Sequence, residues 1–176
     1  MSIHVLRIGH RPKRDRRVTT HLLLAARAFG AKGATYTGTK DPSIENTVRK
    51  VCLDWGGSFE VGYSKSWRKT IETWRHRGRI VHLTMYGLPI QDAIKGIRED
   101  SSDKLVVVGG PKIPGDVFGL VDWNLAVTSQ PHSEVSALAV FLHEFFEGKE
   151  LTIVYEGARL MIVPQEKGKR VETTSV

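Results

Sequence analysis

VVVGGPKIPGDVFGLVDWNLAVTSQPHSEVSALAVFL, residues 106–142, decides the fold. It opens on an apolar run of strand length, 105–108, that breaks at Gly109-Gly110. A second apolar run follows at 125–128, crosses a polar turn from Ser129 to Ser133, and enters a strongly apolar helical stretch at 134–147. Both apolar runs lack the polar alternation of a half-wetted strand, so they suit a sheet covered on both faces. Immediately upstream, IVHLTM (80–85) reads as another strand, and 89–99 reads as an amphipathic helix. Strands alternating with helices imply an α/β fold with a parallel, buried sheet. The helix at 134–147 is apolar nearly all round, which implies burial or a subunit interface.

The first half is less regular, with a glycine- and threonine-rich loop read between Gly30 and Asp41. IHVLRI (3–8) reads as a strand and leads into a polar, basic segment at 9–17, with Thr19 or Thr20 expected to cap a helix that lasts to about Phe29 and stops at Gly30. Asp41 as N-cap, Pro42 at the first helical position and Glu45 in the first turn start a second helix, which runs to about Trp55. Gly56-Gly57 ends it. A short strand at 59–63 then leads to a helix at 66–77, the most basic in the chain, carrying Arg68, Lys69, Arg75 and Arg77 beside Trp67 and Trp74. After the last long helix, 151–155 and 159–163 are expected to form a hairpin across Glu156-Gly157, followed by a polar tail at 165–176. Residues 1–164 form the expected single domain.

The 176 residues suit one domain, and 40% apolar content suffices for a core. A net charge of +7 makes a polyanion the expected macromolecular partner. The single cysteine, Cys52, excludes an intrachain disulfide framework and a four-cysteine zinc site, which points to a reducing compartment, the cytoplasm by default. No apolar run approaches the ~18 residues of a membrane span, and the N-terminus lacks the pattern of a signal peptide.

Several motifs fail. Gly110 and Gly115 have Walker A spacing, but Asp116 and Val117 stand where lysine and a hydroxyl residue are needed, and no G-x-G-x-x-G is present. His143-Glu144 begins like a zinc motif and then lacks the second histidine, and His4, His76 and His82 have no ligand spacing, so no metal is expected. Three segments retain chemical interest. The loop 106–116 ends a strand with glycines that allow close approach to a ligand; alone, it is equally a tight turn. The turn 129–134 presents a helix N-terminus beside side-chain donors, and Ser133 doubles as an ordinary cap. The segment 9–31 packs Arg11, Lys13, Arg14, Arg16 and Arg17 together with one aspartate, which suits phosphate or ribose.

Taken together, the basic segment leading into TTHLLLAARAFGA (19–31), VVVGGPKIPG (106–115) and NLAVTSQPHSEVSALAVFL (124–142) resembles the three ordered motifs of the SPOUT methyltransferase superfamily. Over nearly the whole chain the similarity is closest to the archaeal tRNA (cytidine-56) 2′-O-methyltransferase family. The resemblance implies a C-terminal trefoil knot, a rare exception to unknotted folds, and a homodimer with the active site near its interface. It implies S-adenosylmethionine held by Leu83, by Gly109, Gly110, Pro111, Lys112 and Ile113, and by Val127, Thr128, Ser129, Gln130, Pro131, His132, Ser133 and Glu134. It implies methyl transfer to a tRNA ribose 2′-hydroxyl. In the SpoU-type enzymes an arginine of the first motif assists that step; here the register puts Leu24 in its place, so the role falls upstream to Arg17 first and Arg14 second. The third motif departs as well, with Ser136-Ala137-Leu138 for Ser-Leu-Asn. Arg68, Arg75 and Arg77 are candidates for tRNA contact. The competing readings are a non-enzymatic RNA-binding protein on the same scaffold and a nucleotide-binding regulator, the latter disfavoured by the failed motifs.

Overall fold

The computed structural model describes residues 1–110 and 112–174, without the side chain of Arg16. Its centre is β5 (Asp103–Gly109), whose run Leu105 to Val108 is fully buried. On one side lie β1 (Ile3–His10), β2 (Gly33–Gly38) and β3 (Glu60–Tyr63); on the other lie β4 (Gly78–Pro89) and β6 (Trp123–Ala126). The order is β3-β2-β1-β5-β4-β6, and every pairing is parallel. The α/β fold with a buried parallel sheet thus stands as the apolar runs required.

Side chains alternate between two cores. Ile3, Val5, Val81, Val106 and Leu125 face α1 (Pro12–Ala28), α2 (Pro42–Trp55), α4 (Ile90–Glu99) and α6 (Glu134–Phe146). Leu6, Ile8, Ile80, Leu105 and Val107 face α3 (Trp67–Trp74) and the single-turn α5 (Val117–Leu120). The chain leaves β1 through α1 on the first face and leaves β5 through α5 on the second, so these adjacent strands form a topological switch point. The crevice beyond their carboxyl ends is where open α/β sheets bind ligands.

Three expectations need correction. The glycine- and threonine-rich stretch between Gly30 and Asp41, read as a loop, contains β2, which pairs parallel with β1 and buries Ala34 and Tyr36. The helix expected from Thr19 or Thr20 begins two turns earlier: Arg11 is the N-cap, Pro12 occupies N1, and Asp15 stands in the first turn. Proline at N1 is preset for helix and an acidic residue there complements the macrodipole, and these two effects outweigh the density of like charges. Thr19 is a buried mid-helix residue whose hydroxyl meets His10 Nδ1 at 2.9 Å. At the other end, the expected hairpin of 151–155 with 159–163 does not form. A 3₁₀ turn (Lys149–Thr152) leads to β7 (Leu160–Val163), which pairs antiparallel with β8 (Arg170–Thr173). Residues 170–173 of the stretch read as a tail are therefore a strand. The remaining starts agree with the sequence: Asp41 caps α2 onto Ser43, Ser66 caps α3, and Ser133 caps α6 by accepting from the Ser136 amide. Helix α6 is buried along Ala137, Leu138, Phe141, Leu142 and Phe145, while Val140 is exposed.

Candidate active site

Strand β4 is interrupted at its carboxyl end. Leu83 lies opposite Leu125 of β6, and Leu88 then lies opposite the same residue, so residues 84–87 are extruded as a loop. Gly87 closes that loop so tightly on the backbone of Asn124 and Leu125 that a Cβ would overlap it. Register also sets Leu83 beside Val108, one residue before Gly109. The strand ends carrying the first and second groups of cofactor residues are thus neighbours, and the end of β6, which carries the third, adjoins β4.

The second and third groups meet directly. A Cβ at Gly110 would come to 3.2 Å from Glu134 Oε1 and 3.8 Å from an Arg7 guanidinium nitrogen, so glycine lets the two loops close on each other. At Gly109 a Cβ would strike Ile113, which folds back over the strand end. Ser129, Pro131 and His132 make no backbone–backbone hydrogen bond among the described residues, and 128–133 are exposed. Their amides and carbonyls are open to a polar ligand. Pro111 lies outside the described residues.

Gly110, Lys112 and Ile113 also border a cleft of about 300 Å³. Arg7, Ile8, Gly9 and His10 of β1 and Arg11 form one wall, Gly38 and Thr39 after β2 a second, and Gly110, Lys112 and Ile113 after β5 the third. It occupies the switch point between β1 and β5. Gly38, with φ near 104°, sits against the backbone of His10 where no Cβ fits.

Sequence reasoning missed Arg7. It is 2% exposed, on the face of β1 shared with Ile3 and Val5. One nitrogen donates to the Ile8 carbonyl at 2.7 Å, another lies 3.6 Å from Glu134 Oε1, and Nε is buried without a partner. Burial pushes the guanidinium below its usual range, opposed by the nearby Glu134 and Asp15 carboxylates. His10 is buried too; burial holds its imidazole below the ordinary value, and Nε2 lies 3.6 Å from Asp41. The signal available in the sequence was a strand position occupied by arginine, on the phase of the apolar residues Ile3 and Val5.

The basic segment becomes the outer surface of α1. Arg11 pairs with Asp15 at 2.7 Å, and this bond holds the Asp15 carboxyl below its normal range. Lys13, Arg14 and Arg17 are exposed on the first two turns. Arg14 is close enough to Asp15 to stabilise its charge, and neither Arg14 nor Arg17 lines the cleft. The helix expected over 66–77 ends at Trp74, and its cations divide: Arg68 of α3 pairs with Asp116, whereas Arg77, in the turn after α3, stacks 3.9 Å from the Trp74 ring, near His4 and Asp103 at the opposite end of the sheet. Among the described residues, no group of three His, Cys, Asp or Glu side chains is arranged to hold a metal ion.

With this geometry in view, known proteins fall into place. Residues 55–172 match the family model described as tRNA ribose 2′-O-methyltransferase, aTrm56. The tRNA (cytidine(56)-2′-O)-methyltransferase of Methanothermobacter thermautotrophicus is 49% identical over 170 residues, covering 96% of this chain and 95% of that protein. The protein of the same name from Methanopyrus kandleri is 53% identical over 169 residues, covering 96% and 94%. Among solved structures, the A. aeolicus TrmH/SpoU tRNA modifying enzyme superposes with a TM-score of 0.59 at 12% identity, covering 85% of this chain and 76% of that one. The SpoU methyltransferase AviRb from Streptomyces viridochromogenes, solved with AdoMet, gives 0.59 at 16% identity, covering 83% and 57%. These two likenesses establish a common fold, whereas near-complete coverage at about half identity establishes kinship: this chain belongs to the tRNA (cytidine(56)-2′-O)-methyltransferase family.

Proposed function

We propose that this protein transfers a methyl group from S-adenosylmethionine to the ribose 2′-oxygen of cytidine 56 in the T-loop of tRNA. The observation that carries this reading is the 49–53% identity, end to end, to proteins bearing that name. No feature of the molecule favours the non-enzymatic alternative.

The residues present fit the cofactor. The carboxyl ends of β4, β5 and β6 bring together Leu83, the glycine step Gly109-Gly110 with Ile113 folded across it, and the exposed turn 128–133, where the Ser129 and His132 backbone makes no backbone–backbone hydrogen bond among the described residues. Apolar surface beside free amides and carbonyls suits an adenine ring and its edge. Bound there, S-adenosylmethionine supplies a methyl group already activated by positive sulfur. The chain must orient the 2′-hydroxyl and ease loss of its proton to solvent as the oxygen–carbon bond forms. We assign orientation and stabilisation of the developing alkoxide to Arg17, with Arg14 second; a guanidinium holds its proton too firmly to serve as the base.

Homodimerisation is supported by the exposed apolar side chains Val140, Val154 and Ile162, a set that water leaves uncovered on one chain. A trefoil knot is supported by the path of the chain, in which β6 lies outside β4 while α6 returns inward to pack on α1 and α4. We take the methyltransferase domain, read from the sequence as 1–164, to extend through β8, whose pairing with β7 crosses that boundary, and the cytoplasm as its compartment. No helix among the described residues is long and apolar enough to cross a membrane.

The test is transfer of labelled methyl to an unmodified tRNA transcript, with mass mapping of the product. The expected result is 2′-O-methylcytidine at position 56; label on a base or on another nucleotide overturns the substrate assignment. Arg17→Ala is expected to lower kcat about a hundredfold or more, and Arg14→Ala less. An unchanged kcat in both would remove them from the mechanism. Val154→Asp with Ile162→Asp should shift the sedimentation coefficient from dimer to monomer.

A further inference from the structure

Arg7 occupies an unusual position for a cation. Its guanidinium is almost wholly buried, yet its nearest carboxylate oxygen, on Glu134, is 3.6 Å away, beyond hydrogen-bonding distance. One carbonyl accepts from it, and Nε has no partner. A desolvated charge with so little compensation is costly unless an incoming anion completes it. The cleft above it has the right character. Lys112 and Arg11 reach it from two sides, and Gly9, Gly38 and Gly110 leave backbone instead of side chains around it. Its shape follows from topology as well, since it fills the switch point between β1 and β5.

We propose that this cleft is an oxyanion subsite for a phosphodiester of the substrate RNA, with Arg7 as its floor and Lys112 and Arg11 as its rim. The inference rests on the reaction proposed above and deepens it. Gly110, Lys112 and Ile113, which the reading above gives to the cofactor, also line this cleft, so a phosphate seated on Arg7 holds the attached ribose beside the methyl donor. Glu134, at the first turn of α6, keeps the guanidinium in place before RNA arrives. The other oxyanion in this reaction is the carboxylate at the amino-acid end of the cofactor. The charge lining the open side of the cleft, and its position toward β2, favour RNA.

The experiment separates the two sources. Binding of unmodified tRNA without cofactor, as a function of salt, and binding of S-adenosylmethionine without tRNA are measured for the wild type, Arg7→Gln and Arg7→Lys. For Arg7→Gln the expected result is tRNA affinity lowered tenfold or more and a log–log salt slope shallower by about 0.7–0.9, as for one lost phosphate contact, with cofactor affinity unchanged. Arg7→Lys should recover the slope and part of the affinity. Loss of cofactor affinity with unchanged tRNA binding overturns the proposal in favour of the carboxylate; unchanged binding of both overturns it altogether. If Arg7→Gln does not fold, Arg11→Ala, at an exposed side chain on the rim, takes its place, and an unaltered tRNA affinity and slope there are equally fatal. Failure of methyl transfer to cytidine 56 by the wild type would strike the reading of the reaction, whereas these binding results bear on the subsite alone.

Discussion

Gly110 illustrates how much one missing methyl group contributes. Its Cα faces Glu134 at a distance where a Cβ would sit 3.2 Å from the carboxylate oxygen. Gly110→Ala must displace either the carboxylate or the loop, and the expected outcome is cofactor affinity lowered about tenfold or more with the melting temperature nearly unchanged, checked by calorimetric titration and thermal scans. A second residue-scale consequence concerns pH. Burial, assisted by Arg77, pushes the His4 imidazole down to about 4 from 6.5, and burial lowers His10 and His82 as well. The folded state therefore favours neutral imidazoles. Their contribution is complete above about pH 6.5 and is lost as the pH falls toward 4, because the unfolded chain takes up protons first. Urea midpoints should fall across that window, and His4→Gln should flatten the fall.

Among the secondary elements, α1 marks the limit of what could be read from the sequence. Its end at Ala28 before Gly30 was legible because glycine with φ near 88° stops a helix, but its start was hidden by five basic residues that resemble a solvated loop. The strand order β3-β2-β1-β5-β4-β6 was beyond reach for a different reason: alternation fixes parallel pairing and leaves neighbours undetermined. The same limit concealed Arg7, since only tertiary packing sets a buried guanidinium near Glu134 and Gly110, whereas the loops after β5 and β6 were legible from their glycines and polar turn. At the C-terminus the hairpin was misplaced because Tyr155, read as the end of a strand, is committed elsewhere. Its hydroxyl donates to the Arg27 carbonyl, and its ring lies 4.6 Å from the Arg27 guanidinium, which itself donates to the carbonyls of Trp55 and Gly56. This latch fastens the C-terminal segment to the ends of α1 and α2. Tyr155→Ala should cost about 2 kcal/mol and expose the segment after Phe146 to limited proteolysis while the sheet persists.

Across the whole molecule, charge and topology act together. The chain carries a net charge of +7, and Arg11, Lys13, Arg14, Arg17 and Lys112 lie on the cleft or on α1, toward the carboxyl ends of the strands, with Arg68 of α3 paired to Asp116 beside them. Binding of tRNA should therefore weaken a hundredfold or more between 50 and 200 mM salt, measurable by filter binding, as for a surface that displaces several counterions.

The loop 109–113 has one more consequence. Gly109 lies under Ile113, and Gly110 faces both Glu134, proposed for the cofactor, and Arg7, proposed for the phosphate. A displacement of Gly110 by one ligand should therefore be felt by the other. Thermodynamic linkage then demands reciprocity: whatever factor tRNA imposes on the dissociation constant of the methyl donor, the donor must impose on that of tRNA. The exchange of spent donor for fresh should then depend on whether RNA is still seated.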